Sequence, residues 1–234
     1  MQPLIVANWK LNPTTLKQAE ELFEKIKSGI VGAKANVVIC PPFIYLPLLK
    51  GLTLGAQNLF YEEKGAFTGE ISDAMLKDLG VEYVIVGHSE RRNYFGETDE
   101  VVNKKVSKAL EFGLKVILCI GETGQEREAG KKNTVLQNQI RKDLQDIANT
   151  QSVIIAYEPV WAIGTGNNCS VTEANEAISF IKSCGLKNNR VLYGGSVNGK
   201  NGAEYIKYSG ADGLLVGGAS LNPEEFVQII KSAS

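Results

Sequence analysis

Eight short apolar runs, at residues 4–6, 37–39, 54–56, 83–86, 116–118, 153–156, 191–193 and 214–216, are separated mostly by stretches of helical period. That alternation constrains the fold more than any other feature of the chain. Leu16, Ala19, Phe23, Ile26 and Ile30 fall on one helical face, as do Val102, Val106, Ala109 and Leu110, and then Leu136, Ile140, Leu144 and Ile147. Boundary residues agree: Thr15 and Gln18 are spaced as a capping box, Gly113 stands as a C-cap, and Asn222-Pro223 reads as an N-cap followed by proline. The connections at 41–51 and 198–208 carry no clear pattern. Strand alternating with helix gives a parallel sheet, and no proline-, serine- or charge-rich linker divides the 234 residues. One α/β domain over 1–234 is expected, either a closed (β/α)8 barrel or a doubly wound open sheet. A dinucleotide-binding open sheet would carry a glycine-rich turn after its first strand, where this chain has Ala7-Asn8-Trp9-Lys10. The barrel is the better reading.

In a closed barrel every strand end points to one face, so residues far apart in sequence converge there. Asn8, Lys10, His88, Glu158, Ser196, Gly217 and Gly218 all follow strand runs. His88 is the only histidine. A lone histidine is more often a hydrogen-bonded packing residue than a catalyst, but this one ends the run Val84-Ile85-Val86-Gly87, where a strand delivers it to the mouth. Glu158 follows Ile154-Ile155-Ala156-Tyr157 and is a candidate general base, against the plainer role of a carboxylate paired with lysine or arginine. The loop after it, Pro159-Val160-Trp161-Ala162-Ile163-Gly164-Thr165-Gly166, holds two glycines and a large indole and reads as a lid that excludes water. Tyr193-Gly194-Gly195-Ser196 and Val216-Gly217-Gly218 each place glycines after a strand, where backbone N–H groups can approach an anion. One such pair is an ordinary tight turn; two in consecutive units point to phosphate. Lys10 adds a point charge there, although a lysine is by default a solvated surface residue.

Composition excludes several classes. With 25 basic and 26 acidic side chains, formal charge −1, the chain offers no field for nucleic acid or an anionic membrane. No apolar stretch is long enough to span a bilayer, and Met1-Gln2-Pro3 lacks the basic start of a secretory leader, so a cytoplasmic location is expected. Cys40, Cys119, Cys169 and Cys184 show no paired spacing and, with one histidine, make no zinc site; reduced thiols and no metal are expected.

Taken together, Ala7-Asn8-Trp9-Lys10, Gly65-Ala66-Phe67-Thr68-Gly69-Glu70, Gly87-His88-Ser89-Glu90-Arg91-Arg92, Cys119-Ile120-Gly121-Glu122, the segment 157–166, Tyr193-Gly194-Gly195-Ser196-Val197 and Gly217-Gly218 resemble the triosephosphate isomerase family, in order and over almost the whole chain. The resemblance implies a TIM barrel that interconverts dihydroxyacetone phosphate and glyceraldehyde 3-phosphate through an enediol, in glycolysis and gluconeogenesis, without metal or organic cofactor. The residue roles are likewise what is known of that family, itself the standard example of this acid-base pair. Glu158 matches its proton shuttle, His88 its neutral imidazole, Lys10 its cation and Asn8 the neighbour holding that cation. Gly164, Ser196, Gly217 and Gly218 match the backbone donors around the phosphate. Thr68 lies in a segment matching the family's dimer loop, so a homodimer is implied.

Two departures stand out. The end of the expected lid is Asn167-Asn168-Cys169 where the family often has a lysine and small residues, and the chain is somewhat shorter than the roughly 250 residues usual for the barrel. Other phosphate-binding barrels fit less well. A Schiff-base aldolase would want an inward lysine where Glu158 stands, and a metal-dependent epimerase would want several histidines. An inactivated barrel serving as a scaffold would be expected to have lost one of Lys10, His88 and Glu158.

Overall fold

The computed structural model describes residues 1–163 and 168–234. Each apolar run becomes a strand: β1 (Leu4–Asn8), β2 (Asn36–Cys40), β3 (Thr53–Ala56), β4 (Tyr83–Val86), β5 (Lys115–Ile120), β6 (Val153–Tyr157), β7 (Val191–Tyr193) and β8 (Gly213–Val216). The strands pair in sequence order and in parallel. Leu4 to Ala7 then pair with Gly213 to Val216, joining β1 to β8. That last pairing closes the sheet into a single-domain (β/α)8 barrel and removes the open-sheet alternative.

Every strand is apolar on both faces because the barrel has an inside and a helical jacket. Leu4 and Val6 pack inside with Val38, Ile85, Ile117, Ile154, Ala156, Leu192 and Leu215, whereas Ile5 and Ala7 join the outer core beneath the helices. The two-residue period carries the inward set onward from Val6 to Asn8 and from Ala156 to Glu158. Strand parity is therefore what aims those two polar side chains at the mouth.

The jacket comprises α1 (Leu16–Gly29), α2 (Asp73–Asp78), α3 (Ser89–Phe95), α4 (Asp99–Glu111), α5 (Gly124–Glu128), α6 (Lys132–Asp143), α7 (Val171–Ser183), α8 (Gly202–Tyr208) and α9 (Pro223–Ser232). In α1 the buried stripe is Ala19, Leu22, Phe23 and Ile26, each of the larger side chains contributing about 1.5–3 kcal/mol; Leu16 at the first position is exposed. Thr15 accepts from the Gln18 N–H as an N-cap, and reciprocal capping boxes occur at Thr123/Glu126 and Ser170/Glu173. Gly113, at φ +72°, follows the α4 C-cap, and Asn222 caps α9 with Pro223 in its first turn.

One sequence expectation needs correction, and one unclear stretch resolves into an element. The stripe Leu136, Ile140, Leu144, Ile147 outlasts its helix: α6 stops at Asp143, and Asp146 adopts φ +59°, which no α-helix continues through. Leu144 and Ile147 still pack on the core edge, so the periodic pattern reports burial and not helix length. Of the two unclear connections, 41–51 holds only a 3-10 turn at Phe43–Tyr45, whereas 198–208 holds α8. Among the described residues no helix is long and apolar enough to cross a membrane.

Candidate active site

The β6 end places Glu158 by backbone contact. Its N–H donates to the Ile120 carbonyl at 2.8 Å, and its own carbonyl oxygen passes so close to Gly121 that a Cβ there would lie 1.7 Å away. Only glycine at 121 lets the two strand ends lie together. The Glu158 carboxylate is 2% exposed; Oε2 accepts the Ser89 N–H at 2.9 Å and Oε1 stands 3.1 Å from His88 Nε2.

His88 departs from strand parity because the chain turns at Gly87, φ +70°, and enters α3 with His88 as its N-cap. Its Nδ1 accepts the Glu90 N–H at 3.2 Å. A nitrogen that accepts keeps its lone pair, so the ring proton sits on Nε2 and is directed at Glu158. A proton on Nδ1 would set N–H against N–H at the positive end of the helix. Arg92 fixes the turn from behind, donating to the Gly87 carbonyl at 2.8 Å while pairing with Asp99 and Asp143, both at 2.6 Å.

Lys10 is held in an uncommon backbone state, φ +54°, by bonds at both ends: its N–H donates to Asn8 Oδ1 at 3.0 Å, and its carbonyl accepts from Gln57 Nε2 at 2.9 Å. Such a conformation persists only where neighbours over-determine it. Gln57 also donates to the Cys40 carbonyl, and the Lys10 ammonium meets Glu90 Oε1 at 2.5 Å. Asn8 thus spends its side-chain oxygen on Lys10. Sequence reasoning singles out neither Gln57 nor Glu90. Glu90 lies inside the His88 motif; for Gln57 the available signal was a polar residue immediately after a strand run.

Gly194, Gly195 and Ser196 after β7, and Gly217 and Gly218 after β8, line one cavity of about 390 Å³ together with Asn8, Lys10, His88 and Glu158. A side-chain carbon on Gly217 would stand 3.3 Å from Lys10 Cε, so the cation reaches the glycine turns. One mouth therefore combines a buried carboxylate, an imidazole N–H, an ammonium and bare backbone. That set suits proton transfer beside a stabilised oxyanion on an anionic substrate.

The sequence matches the profile of the family described as triosephosphate isomerase over residues 3–233. The chain belongs to the triosephosphate isomerase family. A triosephosphate isomerase of Dehalococcoides mccartyi is 48% identical over 248 aligned positions, which span 100% of this chain and 97% of that protein. Those of Dictyoglomus thermophilum and Aquifex aeolicus are 45% and 47% identical, spanning 98% and 99% of this chain and 98% and 100% of those proteins. The activity is accordingly that of an isomerase, triose-phosphate isomerisation, a step of glycolysis.

Of the residues that the triosephosphate isomerase resemblance implies, Gly164 lies outside the described residues, as do the rest of 164–167, the centre of the expected lid. The flanks are firmly built. On one side Trp161 Nε1 donates to Glu122 Oε1 at 2.8 Å, and Tyr157 donates to the same carboxylate. Burial raises the Glu122 carboxyl above its usual range, and these two donors oppose that rise. Arg127 lies 4.0 Å above the Trp161 ring and pairs with Glu173 of α7 at 2.6 Å, tying the indole to the far flank. The Cys169 thiol is pushed up to about 12 by burial, and Cys119 rises for the same reason, so neither is a thiolate nucleophile at neutral pH.

Proposed function

We propose that Glu158 carries the proton between the two carbons of dihydroxyacetone phosphate and D-glyceraldehyde 3-phosphate, passing through an enediolate. The observation that carries this reading is the Glu158–His88 contact of 3.1 Å at the wall of the glycine-turn cavity. In that reading the carbonyl oxygen of the substrate takes the Nε2 proton's direction, and Glu158, released from His88, takes the carbon-bound proton. Lys10 offsets the negative charge that grows on the substrate. Asn8 holds Lys10, and Ser196, Gly217 and Gly218, with Gly164 by resemblance, receive the phosphate. The reaction as proposed needs no cofactor, because base, acid and cation are all side chains.

The test supplies glyceraldehyde 3-phosphate to the purified protein and follows dihydroxyacetone phosphate through a coupled NADH-dependent reductase. Glu158→Gln keeps the shape and removes the base, and its kcat falls by about 10²–10⁴-fold. A variant that turned over at the wild-type rate would remove Glu158 from the chemistry.

A homodimer through the loop at Thr68 is the assembly that fits best. Residues 62–70 are exposed throughout, and Phe67 is 43% exposed while its ring leans on Phe60 at 4.7 Å. An aromatic on an open loop is what a partner's pocket would cover. Light scattering that returned a fully active monomer would end this reading. The four free thiols accord with a cytoplasmic, reducing location.

A further inference from the structure

Two stacked tyrosines outside the candidate site's proton-transfer groups stand below the glycine turn after β7, Tyr193 against the turn and Tyr205 against Tyr193. Tyr193 ends β7 and Tyr205 stands in α8; both are buried, and their rings stack at 3.8 Å between centroids with planes 14° apart. The Tyr193 hydroxyl donates to that of Tyr205 at 3.3 Å, and the Tyr205 hydroxyl donates to the carbonyl of Cys169. Tyr193 presses on the turn itself: the position a Cβ would take on Gly195 is 2.3 Å from its Oη. Cys169 immediately precedes Ser170, the N-cap of α7. One hydrogen-bonded chain therefore runs from Cys169 through Tyr205 and Tyr193 to the underside of the turn that carries Ser196.

We propose that Tyr205 is a positioning residue for phosphate binding, which it serves by locking the Tyr193 phenol under Gly195 and so setting the height of the 194–196 turn. The proposal rests on the reading that this turn receives the substrate phosphate. The Tyr205 hydroxyl is suited to the task because it does two jobs at once, accepting from one element and donating to another. Removing it leaves the Cys169 carbonyl and the Tyr193 O–H both buried and unpaired, and the turn is then free to settle elsewhere. The stacked rings alone do not prevent this, since stacking fixes their separation and leaves them free to slide.

The variant is Tyr205→Phe, which keeps the stack and removes the hydroxyl. KM for glyceraldehyde 3-phosphate and the inhibition constant of inorganic phosphate both rise about fivefold, equivalent to about 1 kcal/mol. For D-glyceraldehyde, which has no phosphate, kcat/KM stays at the wild-type value. Tyr193→Phe, which removes the other hydroxyl and leaves the Cys169 contact in place, gives the same rise in both constants and serves if Tyr205→Phe fails to fold. Gly218→Val is measured beside them; Gly218 lines the cavity and a Cβ there meets nothing within 4 Å, so the new side chain stands where the anion would sit. If Gly218→Val weakens phosphate inhibition while Tyr205→Phe and Tyr193→Phe bind phosphate as the wild type does, the positioning role is overturned and the phosphate reading stands. If none of the three variants alters phosphate inhibition, both fall. An equal loss of kcat/KM toward glyceraldehyde and its phosphate would make Tyr205 a structural residue only.

Discussion

The barrel has two mouths, and the larger opening is not the one where the candidate site residues meet. At the N-terminal ends of the strands a cavity of about 590 Å³ is lined by Leu4, Asn36, Thr53, Tyr83, Lys115, Arg190 and neighbours, against about 390 Å³ at the C-terminal ends. Its charged groups are half-exposed: Lys115 pairs with Glu82 at 3.2 Å with both side chains about half open to water. At the other mouth Glu158 and His88 are both under 10% exposed and bonded to each other. The difference lies in what the backbone does at each end. Strand starts merely begin, whereas strand ends at Gly87, Gly121, Gly194 and Gly217 turn so that polar groups meet. Concavity is cheap in a barrel, and convergence is the informative property.

The contrast is most easily broken at Gly121. Gly121→Ala puts a methyl group 1.7 Å from the Glu158 carbonyl, so the base must shift, and a misplacement on the order of 1 Å costs about a hundredfold in kcat/KM. Steady-state kinetics on the folded variant measures this; wild-type activity would show that the strand ends are not what positions Glu158.

A smaller effect sharpens the contrast at the rim. Glu173 is held well below the usual carboxylate range, at about 2, first by its hydrogen bond from Arg127 and then by Ser170. A depressed folded-state value stabilises the protein fully above the unfolded value near 4.5, and that contribution is lost as pH falls toward about 2. Glu173→Gln costs about 0.5 kcal/mol at pH 7, given the partial exposure of the pair, and flattens the acid limb of the stability curve. Urea unfolding between pH 2 and 7 reads both. The smallest effect belongs to the N-terminal mouth: Arg190→Ala leaves kcat/KM unchanged and stability within about 0.5 kcal/mol. A large loss of turnover in that variant would mean the two ends are functionally coupled.

Sequence patterning exposed the parts of this molecule whose physics is local. Strand runs such as 83–86 and 191–193 were legible to the residue, because burial on both faces demands unbroken apolar stretches. Closure was legible only indirectly, from the missing glycine-rich turn after the first strand and from the family resemblance, since pairing Leu4 with Gly213 leaves no mark on either segment. Asn8 and Glu158 could be aimed by two-residue parity, whereas His88 needed the turn at Gly87 to reach the same mouth. Gln57 was hidden because its work is to clamp the Lys10 carbonyl 47 residues away; its place just after a strand run marks a polar residue at the mouth and does not reveal that contact. The end of α6 was missed for a related reason: Leu144 and Ile147 are apolar because they are buried, whatever their backbone does.

The mutual bond between Glu158 and His88 makes each group the other's standing partner. Each group is the other's ligand at very high local concentration, so any visitor enters as a competitor and must displace a partner already in place. If the glycine turns receive phosphate as proposed, a bare phosphate fills them without disturbing that pair. Only a molecule bringing an acceptor for the imidazole can part the two groups, and selectivity therefore begins before the first proton moves.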